Sequence, residues 1–267
     1  MSKSSSKSKD KSLSPHLDEL DDVDALFLLS EEEPSSKRRS RRSGKVSRSV
    51  QKEPPKIVAL VSRKGGTGKT SLAMNLAAVL STSRRRVVVL DLDKGADAAK
   101  WQDRGGKLPF AVIRADGKEG EWSLEKSIEK VAAKADLLIL DTPPADMQVI
   151  EQAVEVADLV LIPTGPSALD LMATVEVVNK SLKMQRGKPN RALRVALVPS
   201  RLISGTLLAK ELPRRLEKLS LPVAPSIGQR VEVATAGSEG RALRPKSKAG
   251  LEISRLARFV LRNLRQT

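Results

Sequence analysis

The chain has no cysteine and no tyrosine, and only 2% of its residues are aromatic. Without cysteine there is no disulfide, no thiolate nucleophile and no thiolate-held zinc or cluster. With so few rings, a core has to be filled by Val, Leu, Ile and Ala. Long apolar runs are also lacking: none approaches the roughly 20 residues that span a bilayer, and the N-terminus has no apolar signal-peptide core. The expectation is a cytoplasmic protein.

Positive charge is in excess, with a formal net charge of +16 over 267 residues. It is unevenly placed. Residues 1–56 carry 13 Lys/Arg against 10 Asp/Glu, residues 57–181 are nearly balanced, and residues 182–267 carry 19 against 5. A basic excess fits a polyanionic partner, because neutralising phosphates releases counterions. It also fits a solvated surface, and charge alone does not choose between them.

Residues 1–55 read as a disordered extension. Alternating Ser and Lys give way to the acidic stretch LDELDDVDALFLLSEEE (17–33) and then to the basic KRRSRRSGK (37–45). Such composition buries too little apolar surface to offset ordering entropy. Leu17, Leu20, Val23, Leu26 and Phe27 fall near helical spacing, which suits either a short partner-docking helix or a transient one. The basic cluster suits DNA, acidic lipid or a solvated linker. Pro54 and Pro55 mark the boundary.

From residue 56 to 267 the pattern is that of one folded domain. Apolar runs at 57–62, 86–93, 110–115, 136–141, 158–163, 193–199 and 221–227 read as strands. Helical patterns lie between them at 70–80, 123–134, 168–184 and 206–219. Strands rich in Val, Leu and Ile with little alternation require a sheet covered on both faces. The predicted class is α/β, a mostly parallel sheet flanked by helices on both faces with right-handed crossovers.

Between the first strand and the first long helix stands RKGGTGKTS (63–71). The strict G-x-x-x-x-G-K-[ST] pattern would need glycine at Arg63, so what remains is the KGGxGKT form. Gly65, Gly66 and Gly68 let backbone N–H groups face phosphate oxygens at a helix N-terminus, with Thr67 and Ser71 in the same cradle. Lys69 would contact the β and γ phosphates, and the Thr70 hydroxyl would ligate Mg²⁺. The loop therefore predicts a P-loop fold that takes ATP and Mg²⁺.

This loop resembles that of the deviant Walker A ATPases, the ParA/MinD family, over about residues 57–265. The resemblance implies that Lys64 reaches across an ATP-sandwiched homodimer to the nucleotide held by the other subunit, where an added cation would stabilise phosphate charge. VVVLDLDKGADAAKW (87–101) looks like the first switch region, in which Asp93 would polarise the attacking water, with Asp91 nearby. Lys94 and Gly95 stand there in place of the usual Pro and Gln. DLLILDTPP (136–144) resembles the Walker B strand and second switch, where Asp141 would hold Mg²⁺ through water. Lys64, Lys69 and Asp93 are thus the expected catalytic groups.

Downstream, VADLVLIPTGPSALDL (156–171) and RVEVATAGSEGRALRPKSKAGLEISRLARFV (230–260) are similar to the ParA branch. The resemblance implies slow ATP hydrolysis, an ATP-dependent homodimer, non-specific DNA binding near the nucleoid, and stimulation by a ParB-like or other cargo adaptor. It places the adenine pocket around 199–201, with Ser200 where Asn is often found. Arg201, Arg214, Arg215, Arg230, Arg241, Arg244, Lys246 and Lys248 are the candidate DNA contacts.

The alternative is a MinD-like ATPase cycling on membranes. For that the last helix offers Ile253, Leu256, Val260 and Leu264 on one face with Arg255, Arg258, Arg262 and Arg265 around it; the same pattern suits a helix packed on its own domain. A dethiobiotin synthetase-like ligase would need a small-molecule pocket not visible in the sequence. The missing Cys excludes an iron-protein-like reductase, and the missing Tyr a tyrosine kinase with a Tyr-rich tail. No added helix-turn-helix is visible.

Overall fold

The computed structural model describes residues 53–115, 123–186 and 194–265. The expectations for residues 1–52, including the apolar spacing at 17–27 and the basic cluster at 37–45, lie outside the described residues.

Six strands form one sheet: β1 Lys56–Leu60, β2 Val87–Asp91, β3 Ala111–Arg114, β4 Leu137–Asp141, β5 Leu159–Thr164 and β6 Arg194–Pro199. Their order is β3-β2-β4-β1-β5-β6. All five pairings are parallel. The helices are α1 Lys69–Leu80, α2 Asp97–Asp103, α3 Leu124–Ala132, α4 Met147–Val156, α5 Ala168–Arg186, α6 Leu207–Glu217, α7 Val231–Ser238 and α8 Lys248–Leu264.

The strands look uniformly apolar because both faces are covered, yet the period of two survives in where each side chain goes. Val58, Leu60, Val87, Val89, Leu137 and Ile139 pack with Leu72 and Leu76 of α1, Trp101 of α2, Ala236 of α7, and Ile253, Leu256 and Val260 of α8. Ile57, Ala59, Val88, Leu90, Leu138 and Leu140 face the other way, onto Leu124 of α3, Ile150 and Val154 of α4, Val178 of α5, and Leu212 and Leu216 of α6.

Burial decides the status of the last helix. Ile253, Leu256, Val260 and Leu264 are all in the core. At ~1.5–3 kcal/mol per fully buried aliphatic side chain, the stripe already gains on the order of 6–12 kcal/mol in the core, so a membrane offers these side chains little further apolar burial. The amphipathic pattern that suggested a membrane anchor is the seam of a domain helix.

One expected strand, 221–227, is not a strand of the sheet. It runs beside β6 and makes only isolated bridges, Val223 to Leu197 and Gly228 to Leu202. Pro222 and Pro225 have no N–H to donate, so a continuous ladder cannot form; Ala224 and Ile227 donate to Leu197 and Pro199 at 2.8 Å each.

Two ties fix the segment before α8. Trp101 donates through Nε1 to the Arg241 carbonyl at 3.1 Å. The Leu243 amide donates to Asn75 Oδ1 at 2.9 Å, and Asn75 Nδ2 donates to the Ser71 carbonyl at 2.8 Å. The C-terminal part is thereby attached to the helix that follows the glycine loop.

Candidate functional site

In the register of the sheet Asp141 stands beside Leu60 of β1 and beside Asp91 of β2. Three neighbouring strands therefore end at one level, and their loops gather above their carboxyl ends. The chain order also reverses here: β2 and β3 lie on one side of β1 beyond β4, whereas β5 and β6 lie on the other. Open α/β sheets bind ligands at such a reversal.

The loop after β1 takes left-handed backbone at Gly66, with φ 71°, and at Gly68, with φ 95°. Gly68 stands at the N-cap of α1, where no side chain caps the helix. By contrast, Ser123, Asp146, Thr206 and Ser247 each accept a backbone N–H at the starts of α3, α4, α6 and α8. The first amides of α1 are thus left for an outside acceptor, and a helix N-terminus favours an anion there. The Thr67 hydroxyl is buried without a hydrogen-bond partner.

Lys69 opens α1 and is 6% exposed. Burial pushes its ammonium below the usual lysine range, while the nearby Asp141 and Asp93 carboxylates pull it back. Asp141 is 1% exposed, and neither carboxylate oxygen accepts a hydrogen bond of normal geometry. Desolvation pushes its pKa up to about 7, against the favourable Thr70 hydroxyl and the Lys69 charge. A buried carboxylate so poorly satisfied is costly unless a cation joins it.

No group of three or more His, Cys, Asp or Glu among the described residues could hold a metal. A single carboxylate with a hydroxyl beside it instead suits Mg²⁺, which keeps waters and takes further oxygens from phosphate. The uncapped amides, the Lys69 ammonium, Thr70 and Asp141 together fit a magnesium-bound polyphosphate.

Asp91 and Asp93 have different tasks. Asp91 is buried; it accepts from the Asp93 amide at 3.1 Å and from the Ala99 amide at 3.0 Å. It therefore caps α2 from the end of β2 and pins the intervening loop. Asp93 is partly exposed and accepts from the Gly95 amide at 2.9 Å. A Cβ at Gly95 would come within 3.3 Å of its Oδ1. Ala96 in this loop has φ 52°, and Ala145 and Arg201 have φ 62° and 57°. Such non-glycine outliers gather at functional loops.

Lys64 is not extended into solvent. Its Nζ lies 2.7 Å from Asp170 Oδ1 and 3.3 Å from Ser167 Oγ. Burial would raise the Asp170 pKa, but hydrogen bonds from Lys64 and from the Ser167 hydroxyl and amide hold it below the usual range. Arg63 pairs with Glu176 on α5. Asp170 had no assigned role in the sequence reading, although the S-x-x-D spacing from Ser167 is that of a capping box and could have drawn attention to it.

The eight candidate DNA contacts divide. Arg201 donates to the Gly66 carbonyl at 2.5 Å, on the glycine loop itself. Arg215 pairs with Glu211 at 2.6 Å, Arg230 with Glu252, and Arg241 with Glu239. Arg214, Arg244, Lys246 and Lys248 are exposed.

The sequence pattern of the CobQ/CobB/MinD/ParA nucleotide binding domain matches residues 58–243. The maintenance of carboxysome distribution protein A of Gloeobacter kilaueensis is 34% identical over 170 residues, 63% of this chain and 74% of that protein. Its namesake from Halothiobacillus neapolitanus is 30% identical over 188 residues, 68% of this chain and 84% of that protein. A Cyanothece McdA variant in complex with ATP superposes with a TM-score of 0.62 at 17% identity, over 80% of this chain and 97% of that one.

Proposed function

The chain belongs to the CobQ/CobB/MinD/ParA family of nucleotide-binding domains, and on that premise we propose that it is an ATP-switched positioning ATPase that dimerises on ATP and holds DNA in that state. The observation that carries the reading is the pairing of an uncapped helix with a second lysine: α1 leaves its first amides open, and Lys64 stands at the mouth of the same loop with a side chain 39% exposed.

In this reading the amides from Gly65 to Ser71 and the Lys69 ammonium hold the phosphates. Thr70 and Asp141 hold Mg²⁺, and Asp93 orients the attacking water. Bound MgATP supplies the phosphoanhydride and the negative charge. Lys64 leaves Asp170 and faces the nucleotide of a second copy, so that association depends on the γ phosphate. An adaptor on the cargo stimulates hydrolysis and separates the pair. The nucleotide thereby provides the differential stability that any two-state device needs. Relatives named for carboxysome distribution and for chromosome partition favour a large assembly or DNA as cargo. The burial of the α8 stripe disfavours a membrane cycle.

The test is binding to random-sequence duplex DNA with ATP, ADP or no nucleotide, alongside sedimentation velocity, for the wild type and Lys64→Ala. ATP-specific dimers and salt-sensitive DNA binding, both lost in the variant, are expected. Binding indifferent to nucleotide, or none, overturns the proposal.

A further inference from the structure

Some basic groups of this molecule are paired with carboxylates and others are not, and their placement differs. Of the basic groups toward the C-terminus, Arg215, Arg230 and Arg241 are paired with carboxylates. The four arginines of α8 differ. Arg255, Arg258, Arg262 and Arg265 are all exposed, and none makes an ion pair among the described residues. The one acidic residue of α8, Glu252, is turned to Arg230 and to the Gly228 amide.

The helix period makes these four a ridge. At 3.6 residues per turn, steps of three, four and three place them within an arc of about 80°, roughly opposite the stripe of Ile253, Leu256, Val260 and Leu264. Because that stripe is buried in the core, the ridge is held outward on a rigid element. Its four side chains extend over about 15 Å of helix axis.

The ridge continues onto the turn between α1 and β2. Arg84 is exposed there. Arg85, which donates to the Leu80 carbonyl at 3.3 Å, is lowered in pKa first by burial and next by the charge of Arg265. The Asp136 carboxylate partly offsets this, but it is shared with Arg86, to which it is paired at 3.0 Å, so positive charge predominates where the turn meets the end of α8, although surfaces built only for solubility intersperse both signs.

We propose that the arginine ridge of α8, extended by Arg84 and Arg85, is the surface that docks the phosphate backbone of duplex DNA. This rests on the DNA-binding reading above and assigns it to residues outside the eight candidates of the sequence. Phosphates recur at ~3.4 Å per strand along the duplex axis, so a ridge about 15 Å long faces roughly four of them. Guanidinium groups suit phosphate oxygens through paired N–H donors, and they confer no preference for sequence. Arg201 serves the glycine loop instead.

The experiment measures DNA affinity of the full chain with ATP across a salt series. It compares the wild type, the quadruple variant Arg255→Gln/Arg258→Gln/Arg262→Gln/Arg265→Gln, the milder Arg262→Gln/Arg265→Gln, and Arg244→Gln/Lys246→Gln/Lys248→Gln. Glutamine keeps part of the aliphatic stem, and unchanged thermal unfolding verifies the fold; the double variant carries the test if the quadruple one unfolds. The slope of log affinity against log salt should fall by about 0.9 for each contact removed, hence by roughly 3–4 in the quadruple variant and ~2 in the double, and by less in the triple.

A quadruple or double variant with the wild-type slope overturns the proposal while leaving the ATP-switched reading intact. A wild type that binds no DNA in any nucleotide state overturns both. Vesicles of phosphatidylglycerol and phosphatidylcholine form the parallel arm: pelleting that needs the ridge, without DNA binding, would assign the arginines to lipid and end the DNA proposal.

Discussion

Lys64 Nζ sits 2.7 Å from Asp170 Oδ1, so the lysine expected to serve a second subunit is tied within its own. The two residues are unequal. Asp170 is 8% exposed and receives the Ser167 hydroxyl at 2.6 Å and the Ser167 amide at 3.1 Å, whereas the Lys64 side chain is 39% exposed.

Removing the partners should therefore have unequal effects. Lys64→Ala should cost under about 1 kcal/mol, as half-exposed pairs do, while Asp170→Ala should cost ~1–3 kcal/mol because buried donors and a cap lose their acceptor. Denaturant unfolding measures both. If the pair restrains Lys64, Asp170→Asn should also populate dimers at lower ATP in sedimentation velocity. An unchanged dimerisation curve would sink that idea.

A Cβ at Gly165 would lie 2.5 Å from Asp170 Oδ2. Gly165→Ala should displace the carboxylate and destabilise by roughly 1–3 kcal/mol. In an Asp170→Ala background the same change should cost clearly less, since neighbouring sites are not additive. Additive costs in the double-mutant cycle would contradict the contact.

Asp141 gives a pH dependence with a definite sign. Its folded pKa is raised to about 7 by burial, while an unfolded carboxyl titrates at ~4. The native state then holds the extra proton across this window, so the stability of the nucleotide-free protein should fall as pH rises from ~4 to ~7 and level off above. Asp141→Asn should remove that slope and raise nucleotide-free stability near neutrality, by on the order of 2–4 kcal/mol. It should also abolish Mg²⁺-dependent nucleotide binding. Thermal unfolding between pH 4 and 8 reads the first effect and calorimetry with MgATP the second.

Arg201 touches the Gly66 carbonyl. Arg201→Ala should weaken ATP binding by roughly 5–10-fold, the loss of a charge-assisted hydrogen bond, while leaving the salt slope of DNA binding as in the wild type. A reduced slope with unchanged ATP affinity would return Arg201 to the DNA surface.

The positions of β1 to β6 were readable because a sheet covered on both faces demands continuous apolar strands, and RKGGTGKTS stands between the first strand and helix as expected. The seventh strand misled because 221–227 has strand-like apolar content, although its two prolines, which lack N–H donors, already argued against a continuous ladder. α2 and α7 are short, at seven and eight residues, and so offer little periodicity. The face taken by each strand residue was hidden as well: Val58 and Ala59 look alike in sequence but belong to opposite cores.

The sequence by itself determined the local chemistry: which loop can cradle phosphates, which strand ends carry carboxylates, and where positive charge accumulates. These depend on residues a few positions apart, whose geometry the backbone sets. Tertiary structure alone decided that Lys64 rests on Asp170, that Arg201 serves the glycine loop, and that the arginines of α8 form an unneutralised ridge. Each depends on contacts between distant segments, or on which helix face the core has already consumed, and packing determines those.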